Sequence, residues 1–341
     1  MGIFNFLTQE IAIDLGTANT LIIAHDKVMV DEPSIVAIDR KTEKVIAVGK
    51  RAMQMHEKTH ENIKTIRPLR DGVIADFQAA ESMIRGMISM IFPKNKLFKP
   101  SLVMVICIPS GITEVEKRAV KDSAEQAGAR EAYLIYEPMA TALGICLAVQ
   151  EPVGNMIIDI GGGTTEIAVV ALSGIVCDQS IRVAGDEFTA DIVDYMRRQH
   201  NLLIGERTAE AIKINVGSAL TELDEAPEDY QVSGRDLMTG IPKQLVVTYS
   251  EIAHSLDKSI SKIEEAILKA LETTPPELAS DIQRNGIYLT GGGALLRGLD
   301  KRISQKTKLM VHVADDPLKA VVRGTGIALK NREQYAALLM S

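Results

Sequence analysis

The chain has 341 residues, of which 46% are apolar and 24% are charged, and its net charge is -7. A chain of this length and composition can bury one large or two medium cores, which favours two α/β lobes and excludes a disordered chain. The negative charge argues against binding to nucleic acid, because contacts with the phosphate backbone need a basic face. Three cysteines scattered in apolar segments predict buried thiols rather than disulfides or a metal cluster.

The first seven residues of the chain are unusually apolar for a free terminus. No segment reaches the roughly 18 uncharged apolar residues of a membrane-spanning helix, so the sequence predicts a cytoplasmic protein. Phe4 and Phe6 are candidates for an apolar tip that touches a membrane or a neighbouring subunit. The alternative is a strand that packs on the protein's own core.

Residues 11–24 have the pattern of a β-hairpin with a turn of small residues. One apolar strand ends near Asp14, and a second begins near Thr20. The turn between them consists of Gly16, Thr17, Ala18 and Asn19. Backbone N–H groups in such a turn can approach an anion closely, and the side chains add further donors, so the turn is a candidate phosphate site.

Residues 156–169 repeat this pattern about 145 residues further along the chain. Asp159, Gly161 and Thr165 occupy the same places as Asp14, Gly16 and Thr20, and the second turn consists of Gly161, Gly162, Gly163 and Thr164. The repeat predicts two related lobes that face each other. Together the hairpins can clamp one nucleotide, and Asp14 and Asp159 can hold the water shell of a Mg²⁺ ion that neutralises the phosphates.

Other phosphate-binding motifs do not fit these segments. No Gly-Lys-Ser/Thr follows either turn, and the chain enters a strand instead of opening a helix, which excludes a P-loop. The glycines of the second turn also lack the spacing of a dinucleotide-binding fingerprint.

The stretch from 87 to 99 interleaves apolar residues with lysines around a Pro-Asn turn. The apolar residues are Ile91, Phe92, Leu97 and Phe98. Apolar side chains beside lysines suit insertion at an anionic lipid surface, and the alternative is a helix end and loop that pack on the core.

The two hairpins resemble the two phosphate loops of the superfamily of actin, sugar kinases and DnaK-type chaperones. The wording DLGTANT at 14–20 and DIGGGTTE at 159–166 is similar to that of the MreB family of bacterial actin homologues. The matching motifs run from Asp14 to Gly326. The resemblance implies an α/β, actin-like two-lobe ATPase made of duplicated RNase H-like domains, each lobe with a small inserted subdomain.

The resemblance also implies domain boundaries. Lobe I would comprise residues 1–150 and 315–341, with an insertion of short alternating strands at about 33–72. Lobe II would comprise residues 151–314, with a mostly helical insertion at about 186–249. Asp315, Asp316 and Pro317 would open and cap a helix that acts as a hinge, with Gly324 and Gly326 at a close crossing.

Two further elements would complete a nucleotide site. Gly291, Gly292, Gly293 and Ala294 follow a predicted strand and match the family's adenosine motif, although a glycine triplet alone is equally typical of a tight turn. Glu210 and Lys213 are three residues apart and share a helix face, which is usually a solvated ion pair. The resemblance implies that this pair touches the ribose and the edge of the base.

Glu137 lies at a predicted strand end before Pro138 and matches the start of the family's first connecting helix. There its carboxylate would orient or deprotonate the water that attacks the γ-phosphate, with Thr164 and Thr165 helping to hold that water. Relatives commonly carry Glu-Glu-Pro at this place, whereas this chain has Tyr136-Glu137-Pro138. If the first carboxylate of that pair were the active one, hydrolysis would be slow or absent.

The resemblance implies an ATP- and ADP-binding protein with Mg²⁺ that polymerises into paired filaments. These filaments would lie on the inner face of the cell membrane and direct cell-wall synthesis with membrane-embedded cell-shape proteins. A chaperone ATPase and a small-molecule kinase are the alternatives within the superfamily. The first needs a substrate domain after the ATPase, and the second needs a polar sugar site that the sequence does not clearly supply.

Overall fold

The computed structural model describes residues 8–92 and 101–340. Lobe I is formed by elements from the first part of the chain, followed here in chain order. They are β1 (Thr8–Leu15), β2 (Asn19–Ala24), β3 (Lys27–Pro33), β4 (Val36–Asp39), β5 (Val45–Val48), α1 (Lys50–Met55), β6 (Ile63–Ile66), β7 (Leu69–Arg70), β8 (Val73–Ile74), α2 (Phe77–Ile91), β9 (Ser101–Ile108), α3 (Glu114–Ala127), β10 (Ala129–Tyr136) and α4 (Glu137–Gly144).

Lobe II and the C-terminal segment follow. Their elements are β11 (Asn155–Ile160), β12 (Thr165–Ala171), β13 (Gly174–Ile181), α5 (Gly185–His200), β14 (Leu202–Leu203), α6 (Glu206–Val216), β15 (Tyr230–Asp236), β16 (Pro242–Val247), α7 (Tyr249–Thr273), α8 (Pro276–Asn285), β17 (Ile287–Thr290), α9 (Leu299–Thr307), β18 (Val311–Val313) and α10 (Ala320–Lys330). Short 3-10 turns lie at Gly292–Leu295, Pro317–Lys319 and Ala336–Leu338.

The central sheets of the two lobes have the same topology. Their strand orders are β3-β2-β1-β9-β10 in lobe I and β13-β12-β11-β17-β18 in lobe II. In each sheet the first three strands pair antiparallel, a fourth pairs in parallel with the first, and a fifth pairs in parallel with the fourth. The prediction of an α/β protein built from a duplicated lobe is therefore confirmed.

The central strands are apolar along their length because helices and the other lobe cover both faces of each sheet. Ile11, Ala12 and Ile13 of β1 are fully buried, and every residue of β11 and β12 is buried. Strands β1 and β9 run parallel, as do β11 and β17, so their carboxyl ends meet at one edge of each sheet. Loops at that edge are the usual place for a ligand in an α/β protein.

Helices α4 and α10 cross where the lobes join, and glycines permit the close approach. A Cβ atom added to Gly324 would collide with the carbonyl oxygen of Ala140, and one added to Gly144 would collide with that of Ala320. The crossing predicted at Gly324 is thus present. Gly326 instead faces Ile23 of β2 at ordinary contact distance, 3.4 Å from its built Cβ.

Two local predictions were wrong. The acidic pair before Pro317 does not cap α10, because a 3-10 turn intervenes, Asp316 adopts a left-handed conformation, and no side chain caps the helix. The insertion in lobe II is not mostly helical, because β14, β15 and β16 form a three-stranded sheet there. The insertion in lobe I does contain a small sheet, of order β5-β4-β6. The lobe and insertion boundaries themselves stay predictions.

No helix among residues 8–92 and 101–340 combines the length and the apolar character needed to cross a bilayer. Phe4, Phe6, Leu97 and Phe98 lie outside the described residues. Ile91 and Phe92 are half-buried and pack on the core of lobe I. Phe92 also meets the ring of His25 edge-on, with 6.2 Å between the ring centroids.

Candidate nucleotide site between the lobes

The turns of the two hairpins lie against each other between the lobes. A Cβ atom built on Gly162 would be 2.6 Å from the Cβ of Ala18, and one built on Gly163 would be 2.7 Å from Oγ1 of Thr17. Any larger side chain at these two positions would push the hairpins apart. The structure therefore brings the two predicted phosphate turns together, and it explains why the second turn needs glycine.

A third loop covers both turns. Asp71 and Gly72 form the tip between β7 and β8, with φ angles of 50° and 77°. The backbone N–H of Gly72 donates to Oγ1 of Thr17 at 3.0 Å, and a Cβ built on Gly72 would be 2.9 Å from Cγ2 of Thr164. This loop was not predicted from the sequence, although an Asp-Gly pair between short apolar runs is a strong hairpin signal.

The threonine that ends each motif has a structural role in the hairpin. Thr20 and Thr165 are fully buried. Oγ1 of Thr20 lies 2.9 Å from Oγ of Ser34, and the hydroxyl of Thr165 donates to the carbonyl of Val183 at 2.6 Å. Thr164 lies in the turn before β12 and contacts the Gly72 loop, whereas Thr165 is buried in the hairpin. The catalytic role of Thr165 stays a prediction, and the contact with the Gly72 loop favours Thr164 as the threonine nearer the cleft.

Four acidic side chains lie close together beneath the turns, namely Asp14, Asp159, Glu137 and Glu166. Burial is the main cause that raises the pKa of Asp14 to about 6 and the pKa of Asp159 to about 7. Hydrogen bonds from the thiol of Cys107 to Asp14, at 3.3 Å, and from the hydroxyl of Thr141 to Asp159, at 3.1 Å, oppose these shifts. The negative charge of Asp14 raises the pKa of Asp159 further.

Glu137 lies among the same acidic groups. Burial raises its pKa well above the usual range, and the charges of Glu166, Asp14 and Asp159 add to the shift. Buried like charges of this kind repel one another, and a divalent cation would relieve that repulsion. Within the described ranges no three His, Cys, Asp or Glu side chains are spaced to bind a metal directly. The donor set thus fits a hydrated Mg²⁺ better than one bound by the protein alone.

Glu166 is the last residue of the second motif and was not predicted to be a site residue. Its side chain is almost fully buried and joins the lobes, because Ser110 of lobe I donates to Oε2 through its backbone N–H at 3.2 Å and its hydroxyl at 2.6 Å. Ser180 of lobe II donates to Oε1 at 2.5 Å. The signal available in the sequence was its place directly after the threonine that ends the motif, and in the structure it lies opposite Asp159 in the register of β11 and β12.

Tyr136 precedes Glu137 and is directed elsewhere. Its hydroxyl accepts a hydrogen bond from Nζ of Lys117 at 3.1 Å, and its ring packs against lobe I. Glu137 itself begins α4, followed by Pro138 at a position suited to the first turn of a helix. Glu137 therefore faces the acidic cluster, and the neighbouring Tyr136 does not.

Glu210 and Lys213 form an ion pair at 2.6 Å that is tied to the second hairpin. Nζ of Lys213 donates to the carbonyl of Gly185 at 2.9 Å, and the backbone N–H of Gly185 donates to the carbonyl of Gly161 at 3.1 Å. The hydroxyl of Thr189 donates to Glu210 at 2.8 Å. The pair is thus fixed beside the turn of the second hairpin and is not a freely solvated pair.

Helix α6 packs on lobe II through one face. Ile214 is as apolar as its buried neighbour Ile212 but is 65% exposed. The residues of α6 that are buried are Ala209, Ile212 and Val216.

The third glycine cluster packs against the end of β11. Gly291 has a φ of 79°, and a Cβ atom there would collide with Oδ1 of Asp159 and with the carbonyl of Ile160. Its backbone N–H donates to the carbonyl of Pro317 at 3.2 Å, and Ala294 is buried. The cluster thus joins the acidic group to the start of the C-terminal helix.

Two lobes of the same topology, with paired turns and buried carboxylates between them, define an actin-like two-lobed protein. The model of the MreB/Mbl protein family matches residues 8–337. The cell shape-determining protein MreB of Escherichia coli (strain K12) is 47% identical over 339 residues, which cover 98% of this chain and 97% of that protein. The cell shape-determining protein Mbl of Bacillus subtilis (strain 168) is 44% identical over 327 residues, which cover 96% and 97%.

A crystal structure of MreB5 of Spiroplasma citri bound to AMPPNP superposes with a TM-score of 0.90 at 38% identity, covering 97% of this chain and 98% of that one. The chain belongs to the MreB/Mbl family and is an actin-like cytoskeletal protein.

Proposed function

We propose that this chain binds ATP and ADP with Mg²⁺ in the cleft between its lobes. The observation that carries the proposal is the contact between two equivalent glycine-containing turns directly above a cluster of buried carboxylates. The backbone N–H groups of the turns would bind the phosphates, and Asp14 and Asp159 would hold the water shell of the ion. A relative at 38% identity, MreB5, has been solved bound to AMPPNP, which supports the same ligand class here.

Glu210, Lys213 and the segment from Gly291 to Ala294 would bind the nucleoside. All of them are joined to the second hairpin, either through Gly185 or through the end of β11. The flat backbone of the glycine cluster would lie against the purine, and the ion pair would contact the ribose. This division assigns the phosphates to both lobes and the nucleoside mainly to lobe II.

We infer slow ATP hydrolysis with Glu137 as the general base. Glu137 is the first residue of α4, and the residue directly before it, Tyr136, is not a second carboxylate. Bound Mg²⁺ would supply positive charge that lowers the pKa of the surrounding carboxyl groups. Glu137 would then accept a proton from the attacking water, while the hydroxyl of Thr164 orients that water.

We further propose that ATP-loaded subunits stack into paired filaments on the inner face of the cell membrane. Such filaments would determine cell shape by organising cell-wall synthesis together with membrane-embedded proteins. Support comes from the family, since the E. coli and B. subtilis relatives are cell shape-determining proteins. Phe4, Phe6, Ile91, Phe92, Leu97 and Phe98 are the proposed lipid contacts.

Sedimentation of the purified chain with Mg-ATP, with and without vesicles of anionic lipid, tests the assembly proposal. We expect ATP-dependent pelleting that increases with the vesicles. Gly163→Ala should abolish it, because the new methyl group would separate the turns. The matched control is Gly174→Ala in the same lobe, where the nearest atom to a built Cβ is 3.7 Å away. A chain that stays monomeric with ATP and lipid over a wide concentration range would refute assembly.

A further inference from the structure

The small insertion of lobe I reaches across the mouth of the cleft and caps a helix of lobe II. Glu57 has a left-handed backbone, with φ at 59°, and Oε1 of its carboxylate accepts the backbone N–H of Glu206 at 3.0 Å. Glu206 is the first residue of α6, and the preceding Gly205 offers no side chain to cap that helix. An anion at a helix N-terminus satisfies an unpaired N–H group and interacts favourably with the helix dipole. Lobe I thus provides the cap that α6 lacks.

Ion pairs surround this cap. The guanidinium of Arg67 in lobe I lies 3.2 Å from Oε2 of Glu206 and 3.7 Å from Oδ1 of Asp186 in lobe II. Nε2 of His56 lies 3.7 Å from the same oxygen of Glu206. We name Glu57, Arg67, Glu206 and Asp186 the interlobe clasp. Each of these ion pairs is partly exposed and therefore weak alone, but together they span the cleft.

The clasp is connected to the phosphate turns on both sides. In lobe II, the backbone N–H of Asp186 donates to the carbonyl of Gly162 in the second turn at 2.7 Å. In lobe I, Arg67 lies a few residues before the β7–β8 tip. At that tip the backbone N–H of Gly72 donates to Thr17 of the first turn. A displacement of either turn therefore reaches the clasp through a short, hydrogen-bonded path.

Gly205 makes room for the capping carboxylate. A Cβ atom built there would collide with the side chain of Glu57. The collision involves the end of a flexible side chain, so alanine at this position would move Glu57 off the helix without displacing any backbone. The geometry offers two independent ways to open the clasp, by removing Glu57 or by filling the space beside Gly205.

We propose that the interlobe clasp is a latch that must open before nucleotide leaves the cleft, so that it sets the rate of nucleotide exchange. The inference rests on the proposed nucleotide site. Opening the latch exposes the N-terminus of α6 and separates Arg67 from two carboxylates. The closed state is therefore favoured until salt or a conformational change weakens these contacts.

The test is the dissociation rate of a fluorescent ATP analogue, chased with excess ATP. The loss of a helix cap is worth about a factor of five, so we expect roughly fivefold faster release from Glu57→Ala. Arg67→Met should release the analogue at least as fast. Gly205→Ala should also accelerate release, and adding it to Glu57→Ala should change the rate by less than about twofold, since both act on one contact. Glu61→Ala, in the same insertion, is the matched control and should leave release unchanged.

Salt dependence provides a second measurement that needs no variant. Release from the unmodified chain should accelerate as ionic strength rises, and this acceleration should be much weaker in the Glu57→Ala, Arg67→Met double variant. Release rates that are the same in all variants, from chains that still bind the analogue, would overturn the latch. Failure of the unmodified chain to bind the analogue would instead refute the nucleotide site itself.

Discussion

Replacement of Gly324 by alanine should destabilise the protein by separating the helices that join its lobes. Gly324 lies in α10, where it faces the backbone of α4. The added methyl group would collide with the carbonyl oxygen of Ala140, which cannot turn aside because it belongs to a helix. The two helices would have to move apart over a contact lined by small buried residues.

Two opposing contributions determine how much Gly324→Ala changes the free energy of unfolding. Alanine in place of glycine in a helix interior stabilises the folded state by about 1 kcal/mol. Overpacking of a tight contact costs about 1 to 3 kcal/mol, and more when backbone must move. Since the obstacle to the Gly324 methyl group is backbone, the cost lies at or above the upper end, and we expect a net loss of about 2 kcal/mol.

Gly326 is the matched control, two residues along the same helix. The nearest atom to a built Cβ there is Cδ1 of Ile23 at 3.4 Å, an ordinary contact. Gly326→Ala should therefore stabilise the protein by about 0.5 to 1 kcal/mol. Equilibrium urea unfolding, followed by circular dichroism, measures both changes against the unmodified chain. Equal stability of the Gly324→Ala and Gly326→Ala variants would refute the proposed close crossing.

Three further predictions concern the cleft. The pKa of Asp159 is raised from 3.8 to about 7 in the folded chain. The contribution of Asp159 to stability is therefore greatest below its unfolded pKa of 3.8 and is lost as pH rises through about 7. Without nucleotide and metal, Asp159→Asn should stabilise the fold at pH 8 by about 2 to 4 kcal/mol, and by less at pH 5, in thermal unfolding scans; a gain independent of pH would contradict this. Glu137→Gln should retain binding of the ATP analogue and lose at least about 100-fold in phosphate release; unchanged turnover would remove Glu137 from catalysis. Lys213→Met should weaken binding of ATP and of free adenosine alike by about tenfold in calorimetry, whereas a loss confined to ATP would assign Lys213 to the phosphates.

The hairpins of the cleft were predictable because their chemistry is local. An acidic residue at a strand end, a turn of small residues and a second apolar strand are all written within fifteen neighbouring positions. The repetition of the motif then implied duplicated lobes, and the two sheets do share one strand order. The glycine clusters were found for the same reason, since close backbone approach requires that residue type.

The sheet in the lobe II insertion was missed because little of it is buried. In β15 only Val232 is buried, and β16 buries only Val247, so neither strand shows the apolar alternation on which prediction depends. The buried face of α6 was not predictable from the sequence for a related reason. Ile212 and Ile214 are equally apolar, and only packing determines which of them faces the core.

The sequence alone determined which residue types could bind phosphate and a cation, because turn geometry and charge depend on neighbouring positions. Only the tertiary structure decided which of two adjacent threonines approaches the Gly72 loop, since that depends on how the β7–β8 tip packs on the second turn. It also decided that Glu166 joins the lobes through Ser110 and that Glu57 caps a helix 149 positions further along the chain. Such contacts leave no periodic signal, because they form only when the folded lobes bring distant segments together.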